Sequence, residues 1–210
     1  MARALTQNKI KIAAQKLFAE KGMDGVSVRE IVAAAGQKNM ASLHYYFRTK
    51  EDLARVILLD AADFVDAERV RLMDAVEATG GPNSIYEVLE IFVASSVLPS
   101  SDPRSNSNIR LFLQTFQNDA DFVQKTVAES RDIGYFRCIE HFKEMLSHLE
   151  DTTMKRRVYL MQHYVYNALA ARERAKAVPG LDTPFWEGDD MMNELLKTAE
   201  NMLLGPTSSD

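Results

Sequence analysis

The chain has 210 residues, 46% of them hydrophobic, which excludes a disordered protein because so much apolar material can form a substantial core. A single cysteine, Cys138, excludes an intramolecular disulfide framework, and with neither a secretory signal at its start nor ~18 consecutive apolar residues we expect a soluble, cytoplasmic protein. The net charge of −5 is unevenly distributed: residues 1–55 carry ten basic and five acidic side chains, and the remainder carries 15 basic and 25 acidic ones, so only the first segment suits phosphate groups.

Helical periodicity predicts an all-α protein with about nine helices and no sheet. One face of the first helix is apolar and consists of Ile10, Ala13, Ala14, Leu17 and Phe18. Gly22 stands where a C-terminal cap belongs, so the helix is expected to end there. The spacing of Ser27 and Glu30 is that of a capping box, which predicts a short second helix that ends at Ala35-Gly36.

A third short helix contains Met40, Leu43 and the aromatic pair Tyr46-Phe47, and the spacing assigns this pair to the core. Thr49 is followed by two acidic residues, which predicts the start of a fourth helix of five or more turns.

The rest of the chain is predicted to be helices separated by irregular stretches. Residues 80–82 end one helix, residues 99–108 are rich in turn formers and predict an exposed loop, and residues 179–190 are irregular. The helices expected around them have apolar faces at residues 85–93, 109–116, 122–149, 154–178 and 191–203.

Three short helices with a glycine between the second and third are the layout of a DNA-binding helix-turn-helix. The segments Ile12 to Gly22, Val26 to Ile31, Ala35-Gly36 and Leu43 to Leu53 resemble the N-terminal domain of the TetR family in order, spacing and residue type. This resemblance implies a DNA-binding domain over residues 1–50 and a helical effector-binding and dimerisation domain over residues 51–210. It also implies a dimer. We expect a homodimeric, ligand-responsive repressor that binds a palindromic operator on double-stranded DNA, and we expect no cofactor.

Aligned backward from Phe47, Ser42, His44 and Tyr45 occupy the DNA-facing positions of the family, and Lys38 and Asn39 lie at the start of the helix. We expect these five and Ser27, Arg29 and Lys50 to contact DNA, with a solvated surface position as the alternative for Arg29. Lys38 and Asn39 suit base contacts, since lysine donates to guanine and asparagine pairs with adenine. Ser27, Tyr45 and Lys50 suit phosphate contacts. Ten residues separate Gly36 from Phe47, one more than in the commonest family pattern, so the register of the reading helix stays open.

Residues 51–210, called the body below, are predicted to bind an effector and a second copy of the chain. Aromatic and sulfur-containing residues suggest a pocket for a small apolar effector, lined by Phe64, Phe92, Phe112, Phe116, Phe136, Met161 and Tyr164. The helix over 154–178 is apolar on two sides, so we assign a dimer interface to Val158, Val165, Leu169, Leu195, Leu196, Met202 and Leu203. A monomeric core is the alternative reading of these residues.

An enzyme and a protein-binding adaptor are the two other classes of function for this chain. The chain has no nucleophile elbow, phosphate-binding loop, metal-protease helix motif or dinucleotide fingerprint, so we expect no enzyme. Cys138, His141 and His148 share a helix face, but the two histidines are too far apart for one ion, and we expect packing and no metal site. A helical adaptor that binds only protein is the remaining alternative.

Overall fold

The computed structural model describes residues 2–178, 180, 184–186 and 189–206. These residues form ten α-helices, one more than expected, with a 3₁₀ turn at Pro184–Trp186 and no strand, so the all-α prediction is confirmed. The helices are α1 Ala2–Lys21, α2 Val28–Ala34, α3 Ala41–Tyr46, α4 Lys50–Glu77, α5 Ile85–Ala94, α6 Asn108–Asn118, α7 Ala120–Val127, α8 Ile133–Met145, α9 Asp151–Ala177 and α10 Asp189–Leu204. Part of the predicted irregular stretch 179–190 lies outside the described residues.

The chain forms two compact units, each made of two chain segments. The first unit comprises Met1–Asp63 and Leu98–Arg131, and the second comprises Phe64–Val97 and Asp132–Asp210. Helix α4 contributes its first half to one unit and its second half to the other. These units are defined by packing, whereas the expected boundary after residue 50 is a functional one, and it remains a prediction.

Local signals fix the ends of the first helices as the sequence predicts. Gly22 ends α1 in the left-handed region with φ +74°, a conformation that costs glycine little. At the start of α2, the Ser27 hydroxyl accepts the Glu30 amide at 3.3 Å, and the Glu30 carboxylate accepts the Ser27 amide at 2.9 Å. The capping box is therefore complete.

The core of the first unit joins the helix-turn-helix to later helices. Phe18, Ile31, Leu43 and Ile57 are buried with Phe47, which confirms that this aromatic residue belongs to the core. Tyr46 is half-buried and packs against the same cluster, together with residues of α6 and α7. Each such aliphatic or aromatic side chain contributes roughly 1.5–3 kcal/mol to the free energy of unfolding when it is fully buried. Helices α6 and α7 therefore help to stabilise the helix-turn-helix.

The loop before α6 is only partly exposed, contrary to prediction. Ser107, its last residue, and Asn108, which is predicted to belong to the loop but begins α6, are buried. Gln15 of α1 is buried too, and its amide donates to the Ser107 hydroxyl at 3.2 Å. The Arg110 guanidinium donates to the Ala19 carbonyl at 3.2 Å. A buried amide needs a partner, so the turn-forming residues of the loop fold inward to supply one.

The prediction of a single helix over 122–149 is also wrong, because this stretch forms two helices, α7 and α8. Helix α7 ends at Val127, and Asp132, the residue before α8, has φ 45°, which is outside the right-handed helical region. The buried Asp66 of α4 accepts hydrogen bonds from the first amides of α8, at 3.0 Å for Ile133, 2.8 Å for Gly134 and 3.3 Å for Tyr135. A carboxylate from a distant helix thus caps α8, which no pattern in residues 128–132 signals.

In the second unit α5, α8, α9 and α10 pack around one core. Phe92 of α5, Phe142 of α8, Met161 and Val165 of α9, and Leu195 of α10 are fully or almost fully buried. No helix in the described part of the chain is long and apolar enough to cross a membrane.

Candidate nucleic-acid interface

Helix α3 buries one side and exposes the other. Leu43 is fully buried, while His44 and Tyr45 are exposed and Ser42 is half-buried. The amphipathic pattern of this short helix therefore presents three of the predicted DNA-facing side chains together, on the side away from the core.

Relative to the commonest family pattern, the chain has one additional residue between Gly36 and Phe47, and this residue falls in or near the turn before α3. Lys38 and Asn39 are exposed and precede the helix, which begins only at Ala41. The Asn39 side-chain oxygen accepts the Ala41 amide at 2.9 Å, and the Asn39 carbonyl accepts the Ser42 amide at 3.0 Å. Asn39 is thus an Asx-type start for α3, and its amide group still has donors for a base.

His44 and Tyr45 both have partners next to the helix. His44 Nδ1 lies 3.1 Å from the Arg48 carbonyl oxygen, which is a hydrogen bond when that nitrogen carries the proton. The Tyr45 ring packs edge-on against Tyr46 with centroids 5.0 Å apart. The guanidinium carbon of Arg3 lies 4.8 Å from the centroid of the Tyr45 ring. Sequence reasoning did not identify Arg3, because 42 positions separate it from Tyr45 and no local pattern connects them.

The start of α2 is held by a charged network. The Ser27 hydroxyl donates to Glu30 at 2.8 Å, and the Lys21 ammonium donates to the same carboxylate at 2.8 Å. The bond from Lys21, followed by those from Ser27, lowers the pKa of Glu30 from 4.5 to about 2. Ser27 and Arg29 are exposed, and Arg29 is available for the predicted phosphate contact. Both donors of Ser27, its amide and its hydroxyl, are used on the Glu30 carboxylate, so a phosphate contact from Ser27 requires one of them to be released.

Lys50, the first residue of α4, has a structural role that the sequence did not reveal. Its ammonium donates to the carbonyl oxygens of Met23 at 2.8 Å and of Val26 at 3.1 Å. Both carbonyls belong to the turn between α1 and α2. Two of the three ammonium hydrogens are therefore used inside the protein, and one remains for a phosphate.

The residues predicted to bind an effector are divided between the units. Phe112 and Phe116 belong to the first unit, where their rings stack with centroids 6.1 Å apart and pack against its core. The other five belong to the second unit: Phe64, Phe92, Phe136, Met161 and Tyr164. Of these, Phe92 and Met161 are buried, Tyr164 is half-buried, and Phe64 and Phe136 are exposed.

Around Phe92 the second unit holds a buried cation that sequence reasoning missed. Arg69 is only 4% exposed, and its guanidinium carbon lies 4.6 Å from the centroid of the Phe92 ring. It donates to the Ser95 hydroxyl at 3.1 Å and to the Ser96 hydroxyl at 3.4 Å. The ring of Tyr166 lies 5.8 Å from that of Phe92, and burial raises the pKa of this tyrosine. Phe92, one of the residues predicted to bind an effector, thus lies beside the hydrogen-bonding groups of Arg69, Ser95 and Ser96.

Six of the seven residues predicted for the dimer interface are buried within the single chain: Val158, Val165, Leu169, Leu195, Leu196 and Leu203. Met202 is half-buried. Helices α9 and α10 pack on each other, which explains why these apolar side chains are covered. Tyr159 and Leu160, on the outer side of α9, are each 57% exposed.

The cysteine and histidines of α8 take separate positions. Cys138 is buried, and burial is the main reason that the pKa of its thiol is raised to about 11. His141 Nε2 lies 3.0 Å from a carboxylate oxygen of Glu77, which also pairs with Arg137. In the described part of the chain no three histidine, cysteine or acidic residues are grouped closely enough to hold a metal ion.

Residues 12–57, from within α1 into α4, match the model of the family described as bacterial regulatory proteins, tetR family. Two solved structures are similar in fold. A transcriptional regulator from Rhodococcus sp. Rha1 is 20% identical, with 94% of this chain and 95% of that chain covered and a TM-score of 0.59. The TetR family transcriptional regulator PfmR from Thermus thermophilus is also 20% identical, with 94% and 98% covered and a TM-score of 0.53. No curated protein matches the chain. The matched family comprises DNA-binding regulators and not enzymes.

Proposed function

We propose that this chain, which carries the DNA-binding N-terminal domain of the TetR family of bacterial regulatory proteins, represses transcription as a homodimer on a palindromic operator. The proposal includes release from the operator when a small apolar effector binds to the body. A regulator of this kind acts in the cytoplasm. The observation that carries the proposal is the exposed side of α3, which presents Ser42, His44 and Tyr45 above a buried Leu43.

The eight proposed DNA contacts have separate roles. In the turn before α3, Lys38 and Asn39 contact base edges, and Ser42 and His44 add contacts from the helix itself. Tyr45 contacts a phosphate. Arg29 and Lys50 bind phosphates from the starts of α2 and α4, where helix N-termini attract anions. Ser27 adds a phosphate contact when its hydroxyl turns from Glu30 to a phosphate oxygen.

Two copies are proposed to bind with their α3 helices in successive major grooves, about 34 Å apart. The outer side of α9 supports this dimer, because Tyr159 and Leu160 are large apolar residues that a single protomer leaves exposed. In this arrangement Val165 and Leu195 are buried in the core beneath the interface, where they hold α9 and α10 in position. The proposed dimer is tested by analytical ultracentrifugation of Leu160→Glu beside Thr152→Glu, an exposed control in the first turn of α9.

The proposed effector site is in the second unit, beside Phe92. The rings of Phe92 and Tyr166 offer apolar surface, and the hydroxyl of Tyr135, which accepts a 2.8 Å bond from Gln162, offers polarity nearby. Apolar walls with few polar groups are typical of small-molecule sites. Effector binding shifts the population toward a dimer whose α3 helices no longer match the grooves, which requires tighter binding to that state.

The experiment that tests the function is selection of bound duplexes from a random pool, followed by a screen of small molecules for release from the selected duplex. Recovery of a palindrome, bound with an affinity that falls steeply as salt rises, supports the proposal. Failure to enrich any sequence contradicts it and favours a protein-binding adaptor.

A further inference from the structure

We propose that Arg3, at the start of α1, is a further residue of the DNA interface and binds a phosphate beside Tyr45. This inference rests on the proposed function, since it extends the same surface. It adds to the recognition helix a cation from the other end of the helix-turn-helix segment.

The position of Arg3 is set by the Tyr45 ring. The guanidinium carbon lies 4.8 Å from the ring centroid, within the range of a cation–π interaction. Tyr45 is 63% exposed and Arg3 is exposed as well, so the pair lies on the surface of the first unit. The stack therefore holds a positive charge on the side of α3 that is proposed to meet DNA.

The ring itself is supported from the core. Tyr45 packs edge-on against Tyr46 at 5.0 Å, and Tyr46 lies 6.4 Å from Phe47 with the rings tilted by 51°. Phe47 is buried. A series of three rings thus runs from the core to the surface and ends at the guanidinium of Arg3, which restricts the positions that the long arginine side chain takes.

The chemistry of this cation suits a phosphate. A guanidinium stacked on an aromatic ring keeps its N–H donors, which match two oxygens of one phosphate group. Among the residues that the structure describes, no carboxylate forms an ion pair with Arg3. Its charge is therefore not neutralised by a described residue and is available to attract the DNA backbone.

The test measures binding of the selected duplex and of an unrelated duplex by fluorescence anisotropy at several salt concentrations, with a protein that has no N-terminal tag. Arg3→Ala is expected to weaken both complexes to a similar degree, and to reduce the slope of log affinity against log salt by about 0.9, the value for one phosphate contact. Arg3→Lys keeps the charge and is expected to keep the slope.

Two further variants make the test specific. Lys16→Ala removes an exposed cation from another side of α1, and it is expected to leave the slope unchanged. Tyr45→Leu removes the ring, so the effect of Arg3→Ala is expected to be smaller in that background than in the wild type, whereas Tyr45→Phe is expected to preserve it.

The results separate the two proposals. If Arg3→Ala binds both duplexes with the affinity and slope of the wild type, the inference is overturned while the proposed function stands. If the wild type binds no duplex, both are overturned. Circular dichroism of each variant establishes that a loss of binding does not come from unfolding.

Discussion

The ammonium of Lys50 donates a 2.8 Å hydrogen bond to the carbonyl oxygen of Met23, and so ties the start of α4 to the turn between α1 and α2. A second bond, to the Val26 carbonyl, makes the same connection. The residue that sequence reasoning assigns to phosphate thus also fixes the relative positions of the helices that carry the other proposed contacts.

Lys50→Ala is expected to lower the free energy of unfolding by about 1–3 kcal/mol, because two backbone carbonyls lose a charged donor. It is also expected to weaken binding of all DNA sequences alike and to reduce the salt slope by about one unit. Urea denaturation and anisotropy measure the two effects. Arg48→Ala removes the same charge at an exposed position and is the stability control. Equal urea midpoints for the two variants would contradict the structural role.

Substitutions at Asn39 separate base reading from helix capping. Asn39→Ala removes both the amide donors and the oxygen that caps the Ala41 amide, so it is expected to change sequence preference and to destabilise α3 by about 0.5–2 kcal/mol. Asn39→Ser retains a capping oxygen and is expected to change preference alone. Lys38→Ala is expected to relax preference at a neighbouring base pair. Selection from random duplexes measures preference, and an unchanged preference in all three variants means that the proposed contacts are wrong.

The network around Glu30 predicts a dependence of stability on acid pH. The pKa of Glu30 is about 2 in the folded protein and 4.5 without these contacts, so its stabilisation is complete above pH 4.5 and is lost as pH falls toward 2. Glu30→Gln keeps the capping geometry but not the charge. The difference in urea midpoint between wild type and Glu30→Gln is expected to shrink from pH 6 to pH 3. A difference that stays constant over this range rules out the ionic contribution, and Asp24→Asn, at an exposed position, is the control.

Asp66 is expected to be essential for the start of α8. Asp66→Ala leaves the amides of Ile133, Gly134 and Tyr135 without their acceptor, which is expected to lower the free energy of unfolding by about 2 kcal/mol or more. Asp63→Ala, at an exposed position on the same helix, is expected to change it by less than about 0.5 kcal/mol. Chemical denaturation followed by circular dichroism compares them, and similar losses for the two would show that the cap contributes little.

The Cys138 thiol is expected to be unreactive in the folded protein. It is buried, and its pKa of about 11 leaves little thiolate at pH 8. Reaction with a colorimetric disulfide reagent is expected to be slow in the native protein and fast in concentrated guanidinium chloride. Rapid labelling of the native protein would mean that this part of α8 opens easily.

The features that sequence reasoning predicted correctly depend on neighbouring residues. Gly22 ends α1, Ser27 and Glu30 form a capping box, and the Thr49 hydroxyl accepts the Asp52 amide at 3.0 Å at the start of α4. Such signals act over three or four residues, and they can be read from the chain directly. The break between α7 and α8 was missed because its cap, Asp66, is more than 60 positions away.

By itself the sequence determined the all-helical class, the limits of the first helices and the resemblance of the N-terminal segment to the tetR family, since periodicity, caps and motif spacing are local properties of the chain. It did not determine what covers each apolar face. Only the tertiary structure decided that Val165 and Leu195 lie in the core of the chain, that Lys50 binds carbonyls of the turn between α1 and α2, and that Arg3 lies on Tyr45. Periodicity identifies which side of a helix is buried, but the partner depends on contacts between residues far apart in the chain.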